Sequence, residues 1–99
     1  MFAALCDDDK YITEEIKKLL LEYAKDNRIT IDIDEFESGE ELLNSEKNYD
    51  IIVLDYQLGS TNGLTVAKKL RKRNVLSCVI FLTSYPQFMI DAFEVNTFR

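Results

Sequence analysis

Two short apolar runs in this chain of 99 residues each end in carboxylates. Asp7, Asp8 and Asp9 follow the run Phe2 to Cys6, and Asp55 follows Ile51-Ile52-Val53-Leu54. If these runs are adjacent parallel strands, the acids gather at one sheet edge, where open α/β folds place their active sites. Two unit charges about 4 Å apart repel by roughly 1 kcal/mol in water and roughly 4 at an effective dielectric near 20. A divalent cation relieves that repulsion. The pattern therefore points to a hard-metal site built around one special aspartate.

The elements that must position these acids alternate along the chain. Phe2 to Cys6 reads as a buried strand. Ile12, Ile16, Leu19, Leu20 and Tyr23 then recur at helical spacing, which predicts an amphipathic helix to about Asp26. Thr30 to Phe36 alternates Ile31 and Ile33 with Asp32 and Asp34, as a strand near a sheet edge does. Ser38 and Glu41 form a capping box that opens a short helix through Leu43. Asp50 to Asp55 predicts a strand apolar on both faces, as in parallel sheets. Gly59 to Gly63 reads as a loop, and Leu64, Ala67, Leu70 and Arg71 mark one face of a third helix. Cys78 to Thr83 is a fourth buried strand, Pro86 starts a fourth helix to about Glu94, and Thr97-Phe98-Arg99 opens a further strand. Strands alternating with helices imply right-handed crossovers and a doubly wound parallel sheet, (βα)₄ with the start of a fifth strand.

Composition narrows the class. The chain is 46% hydrophobic and 30% charged with net charge −6, which describes a globular domain rather than a disordered segment. Its apolar runs are too short to span a bilayer, and no signal peptide pattern is present. The acidic balance argues against direct nucleic-acid binding, because phosphate contacts come from Lys and Arg. The basic cluster Lys68 to Arg73 falls late in a predicted helix, where the helix dipole favours cations, and reads as a solvated helix end. Cys6 and Cys78 sit in apolar strands and read as reduced buried thiols. These features place the chain in the cytoplasm.

Cys6-Asp7-Asp8-Asp9 at the end of the first strand, Leu54-Asp55 at the end of the third, Asn62-Gly63 after it and Leu82-Thr83-Ser84 closing the fourth together resemble a bacterial two-component response-regulator receiver domain. The stretch Phe81 to Pro86, with Asp91 to Asn96, is similar to receivers that precede LytTR-type DNA-binding domains. The resemblance implies a flavodoxin-like strand order, 2-1-3-4-(5), which makes strands one and three neighbours. It implies Asp55 as phosphoryl acceptor, Thr83 as the hydroxyl that contacts the phosphoryl group and switches, and Ser84 as the small neighbour leaving access. Mg²⁺ is the implied cofactor, held by Asp8 directly, by Asp7 mainly through water, by Asp55, and by the backbone carbonyl of Gln57. Asp9 is expected to cap the first helix instead. The implied partners are a sensor histidine kinase and, among those the family allows, a second copy as a homodimer. DNA is reached only through an output domain outside this chain, and membranes are not involved. Catalysis is confined to the chain's own phosphorylation and dephosphorylation, so the resemblance implies no conventional enzyme.

Residues 1–99 thus read as a receiver domain that stops short. The family's fifth-strand lysine, expected a few residues beyond Arg99, is not in the sequence, nor is a fifth helix. A shortened chain, a disordered remainder and a natural stop all stay open. Two other functional classes also stay open: a non-phosphorylated interaction module with the receiver fold, and a Mg²⁺-dependent phosphatase. The phosphatase is disfavoured because Gln57 stands where such enzymes carry a second, proton-donating aspartate. Without its last elements the sheet is expected to expose the edge of its fourth strand and an apolar face of its first helix. The isolated chain should then be marginally stable or self-associate. A sharp, concentration-independent thermal transition above about 60 °C would contradict that expectation.

Overall fold

The computed structural model describes residues 1–58, 61–73 and 76–82. Thr83 and Ser84, the helix expected from Pro86 and the strand expected at Thr97-Phe98-Arg99 lie outside these residues, as does Gly59. Within them the order is β1 (Phe2–Cys6), α1 (Lys10–Asp26), β2 (Asp32–Phe36), α2 (Gly39–Asn44), β3 (Ile51–Asp55), β4 (Gln57–Leu58), β5 (Thr61–Asn62), α3 (Gly63–Lys72) and β6 (Cys78–Leu82). Strands β2, β1, β3 and β6 form one parallel sheet in that order, with helices in the connections. This is the flavodoxin-like order expected from the sequence, β6 being the fourth of the predicted strands. Among the described residues, β6 has β3 as its one neighbour.

Alternation along the strands explains why both faces of the centre are dry. Ala4, Cys6, Ile52, Leu54 and Val79 point to one face, where they pack with Leu42 of α2 and Val66, Ala67 and Leu70 of α3. Ala3, Leu5 and Val53 alternate with them and are equally buried on the other. Helix α1 lies against β1, and its buried residues are Thr13 and Ala24. Of the apolar stripe predicted for α1, Ile12, Ile16 and Leu20 are half-buried, whereas its other two members face outward. Leu19 and Tyr23 remain 61% and 59% exposed, whereas small Thr13 and Ala24 let the helix approach the sheet. On α3, Val66 replaces Leu64 as a deeply buried residue, and the half-buried Arg71 turns its guanidinium to donate to the Ser77 carbonyl at 2.9 Å.

The local stops and starts follow the expected chemistry with two differences. Asp9 caps α1 through the Tyr11 N–H at 2.9 Å, and Ser38 caps α2 through the Glu41 N–H at 3.2 Å. The Glu41 carboxylate reaches back one residue further than a standard capping box, accepting from the Glu37 N–H at 3.2 Å. Where a plain loop is expected between Gly59 and Gly63, a short antiparallel hairpin pairs Gln57 with Asn62 and Leu58 with Thr61. The basic end of α3 is partly structural, since Arg73 donates to the Leu43 carbonyl at 2.6 Å. At the edge, Asp34 accepts from the Tyr49 hydroxyl at 2.6 Å and from Lys47 at 3.0 Å, which explains a carboxylate in a strand.

Leu54 is fully buried at the centre of the sheet. Leu54→Ala is expected to cost about 2–5 kcal/mol, whereas Leu76→Ala, at a side chain 90% exposed, should stay within about 0.5 kcal/mol. Urea unfolding midpoints of the two variants check the contrast.

Candidate metal centre

The pairing of β1 with β3 fixes the site. Ala3 to Cys6 run alongside Ile51 to Leu54 in parallel register, so the residues that follow each strand emerge side by side. The flanking pairings carry on past the strand ends: the Asp7 N–H donates to the Phe36 carbonyl of β2 and the Tyr56 N–H to the Leu82 carbonyl of β6, both at 3.1 Å. Asp7, Asp8 and Asp55 then each offer a carboxylate oxygen within 4.8 Å of the other two. Asp7 is buried, Asp55 half-buried and Asp8 exposed. Asp9 is turned away into its cap on α1.

Backbone amides orient two of these acids. The Asp9 N–H donates to Asp7 Oδ1 at 2.8 Å, and the Gln57 N–H donates to Asp55 Oδ1 at 3.2 Å. They do not supply a countercharge. The ion pairs of the described residues join Lys10 to Glu37, Lys17 to Glu35, Lys18 to Glu15 and Lys47 to Asp34, and none involves the three clustered aspartates. Burial accordingly pushes the Asp7 carboxyl above the usual carboxylate range; the Asp9 amide opposes this, and the charges of Asp8 and Asp9 add to it. Burial also raises Asp55, with the Gln57 amide opposing and the charges of Asp7 and Asp8 adding.

This donor set fits a hard divalent cation. All the side-chain ligands are oxygens, they converge from two strand ends, and no ion pair among the described residues compensates their charge. Cys6, although adjacent, is no ligand. Burial first, then the charges of Asp7 and Asp55, push its thiol up to about 12, and its Sγ donates to the Ser38 carbonyl at 3.4 Å. Of the residues expected at the site, Asp7, Asp8 and Asp55 come together, and Gln57 is placed beside them through its amide. Thr83 lies outside the described residues.

Three further neighbours shape the site. Tyr56 is buried directly after Asp55, and its ring packs on Phe81 with centroids 6.0 Å apart. Gly63 fits the sequence as a residue of a permissive turn, but it is the first residue of α3 and is needed for close approach: an added Cβ would lie 2.6 Å from the Asp55 carbonyl oxygen. Asn62 caps α3, its Oδ1 accepting from the Thr65 N–H at 2.8 Å. An Asn before an apolar helical pattern is a cap signal that the sequence does carry.

The raised carboxyls make stability depend on pH. Asp7 and Asp55 hold protons more tightly in the folded chain, so folding is favoured at acid pH. That advantage is lost as pH climbs from the unfolded value near 3.9 through the folded values. In EDTA at pH 7, Asp55→Asn should therefore melt above wild type, with the gap closing towards pH 4. Adding Mg²⁺ at about 100 times its dissociation constant should stabilise wild type by about 2.7 kcal/mol and the variant far less. A wild type that out-melts the variant in EDTA at pH 7 would contradict the assignment.

Comparison with known proteins agrees with this geometry. The family described as response regulator receiver domain matches residues 3–98. The sensory transduction protein LytT of Bacillus cereus is 36% identical over 97 residues, covering 97% of this chain and 39% of the relative. The transcriptional regulatory protein LytR of Staphylococcus aureus is 33% identical over 96 residues, covering 97% of this chain and 38% of the relative. The chain thus spans about two fifths of the length of these curated relatives. Among solved structures, the response regulator TrrA of Thermotoga maritima in complex with Mg²⁺-BeF is 33% identical with a TM-score of 0.78, covering 91% of this chain and 75% of that one.

Proposed function

The chain belongs to the response regulator receiver domain family of two-component, phosphorylation-based signalling, and we propose that Asp55 is the residue it phosphorylates. The observation that carries this reading is the meeting of Asp7, Asp8 and Asp55 at the ends of adjacent parallel strands with no cationic partner among the described residues. Asp7, Asp8, Asp55 and the Gln57 carbonyl would hold Mg²⁺. When bound, the ion neutralises the acids and the oxygens of the incoming phosphoryl group, which is the main demand of phosphoryl transfer. TrrA, solved with Mg²⁺-BeF, supports the choice of ion.

The chain's own residues account for the rest. A carboxylate oxygen of Asp55 attacks phosphorus, forming the acyl phosphate as the P–N bond to a phosphohistidine breaks. The electron pair leaves with the imidazole nitrogen, which then takes up a proton. The Gln57 amide fixes Asp55 Oδ1, leaving the other carboxylate oxygen to attack. Thr83, directly after the strand residue paired with Asp55, contacts the new phosphoryl group and carries the switch. The modification adds roughly one to two negative charges beside an already acidic cluster and so biases two packings of the loop bearing that hydroxyl.

Receiver domains of response regulators are generally not enzymes in their own right, and this chain's catalysis is directed at itself. The donor is a sensor histidine kinase. The name of LytR, a transcriptional regulatory protein, and the greater length of both relatives support an output in transcription, reached through a DNA-binding domain outside these 99 residues. The receiver is placed in the cytoplasm, with a homodimer as an assembly the family allows; no helix of the described residues is long and apolar enough to cross a membrane. Acetyl phosphate or beryllofluoride with Mg²⁺ should modify wild type and leave Asp55→Asn untouched, as read by intact mass and by ¹⁹F NMR. Equal modification of both would reject Asp55, and no modification of either would favour an inert interaction module.

A further inference from the structure

The segment after Asp55 leaves β3, makes the hairpin of β4 and β5, and returns to the same strand end. It closes at Gly63, whose N–H donates to the Tyr56 carbonyl at 2.6 Å. A Cβ at this position would lie 2.6 Å from the Asp55 carbonyl oxygen, 3.2 Å from Tyr56 Cα and 3.1 Å from Phe81 Cε1, where ordinary contact begins near 3.4 Å. Two of the three obstacles are backbone atoms, and no rotamer change moves them. The strand end cannot retreat either, because β3 is paired with β1 on one side and with β6, up to Asp55 against Leu82, on the other. What must yield is the start of α3 and the hairpin joined to it.

That hairpin begins with Gln57, whose N–H holds Asp55 Oδ1. We infer that Gly63 is a positioning residue: by letting the loop close onto the β3 terminus, it sets the Gln57 peptide against the acceptor carboxylate and the cation site. This deepens the proposed function and rests on Asp55 being the acceptor. Gly63 touches no reacting atom. Its effect passes through the backbone to one amide and, on the far side of the same residue, one carbonyl. Displacements of about 1 Å at such a site can change rates by about 100-fold.

The test compares the full chain as wild type, Gly63→Ala, Gly63→Ala with Phe81→Leu, and Ala24→Gly. Ala24 is buried near the C-terminal end of α1, on another helix, and its replacement lowers stability without adding bulk at the turn. Hydrogen exchange at the Gln57 amide, Mg²⁺ affinity by calorimetry and the rate of modification by acetyl phosphate are read for each. Gly63→Ala is expected to speed Gln57 exchange about 10-fold or more relative to the β3 amides, and to weaken Mg²⁺ binding and slow modification by about 10- to 100-fold. Ala24→Gly should keep all three readouts close to wild type. Phe81→Leu removes the ring contact but not the two backbone contacts, so the double variant should fold at least as well as the single one and stay impaired. Recovery in the double variant would overturn the inference, since the loss would then come from crowding against the ring. Unchanged Gln57 exchange in Gly63→Ala would overturn it too. A wild type that is never modified would end the acceptor reading instead, and Gln57 exchange would still decide whether Gly63 holds the loop.

Discussion

Repulsion among Asp7, Asp8 and Asp55, which no ion pair of the described residues relieves, is the constraint around which the described fold is arranged. Parallel pairing of β1 with β3 forces the three acids together, and two backbone amides aim Asp7 and Asp55 without cancelling their charge. A protein that needed only stability would not keep two of them partly desolvated, because desolvation raises Asp7 and Asp55 and opposes folding at neutral pH. The cost is intelligible if a cation and a phosphoryl group are the missing partners. Stability is conceded at the one place where binding and chemistry are to be gained.

The rest of the described fold keeps that place rigid. Ile52, Leu54, Val79 and Cys6 lie in a core closed by Leu42 and by Val66, Ala67 and Leu70, so the strand ends have little freedom. Asp9, Ser38 and Asn62 each begin a helix with a side-chain cap. Two of those caps, Asp9 and Asn62, lie at the site itself. A cluster of like charges holds its geometry only if the backbone beneath it cannot relax, and a sheet strand paired on both sides meets that condition.

Much of this was legible in the sequence because it depends on period and position. β1 appears with the predicted bounds, and β2 and β3 within two residues of theirs, since short apolar runs bounded by acids leave a strand little room to slide. The acids of the site follow from their place after those runs. What the sequence did not show depends on distance in space. The face of α1 that meets the sheet carries Thr13 and Ala24, and no hydrophobic count favours them over Leu19 and Tyr23. Gly63 looks like any turn glycine until the Asp55 carbonyl is seen against it. Tyr56 and Phe81 become partners only once β3 and β6 lie side by side.

The central claim is that Asp7, Asp8, Asp55 and the Gln57 carbonyl form one hydrated cation site. Mn²⁺ takes the same oxygen ligands as Mg²⁺ and broadens nearby nuclei, so a substoichiometric Mn²⁺ titration followed by amide NMR tests it directly. The account predicts early loss of the Asp7, Asp8, Asp55 and Gln57 signals, reversed by excess Mg²⁺, while Asp32, Asp34 and Glu40 persist. Broadening spread evenly over the acidic surface, or centred away from the ends of β1 and β3, would contradict it.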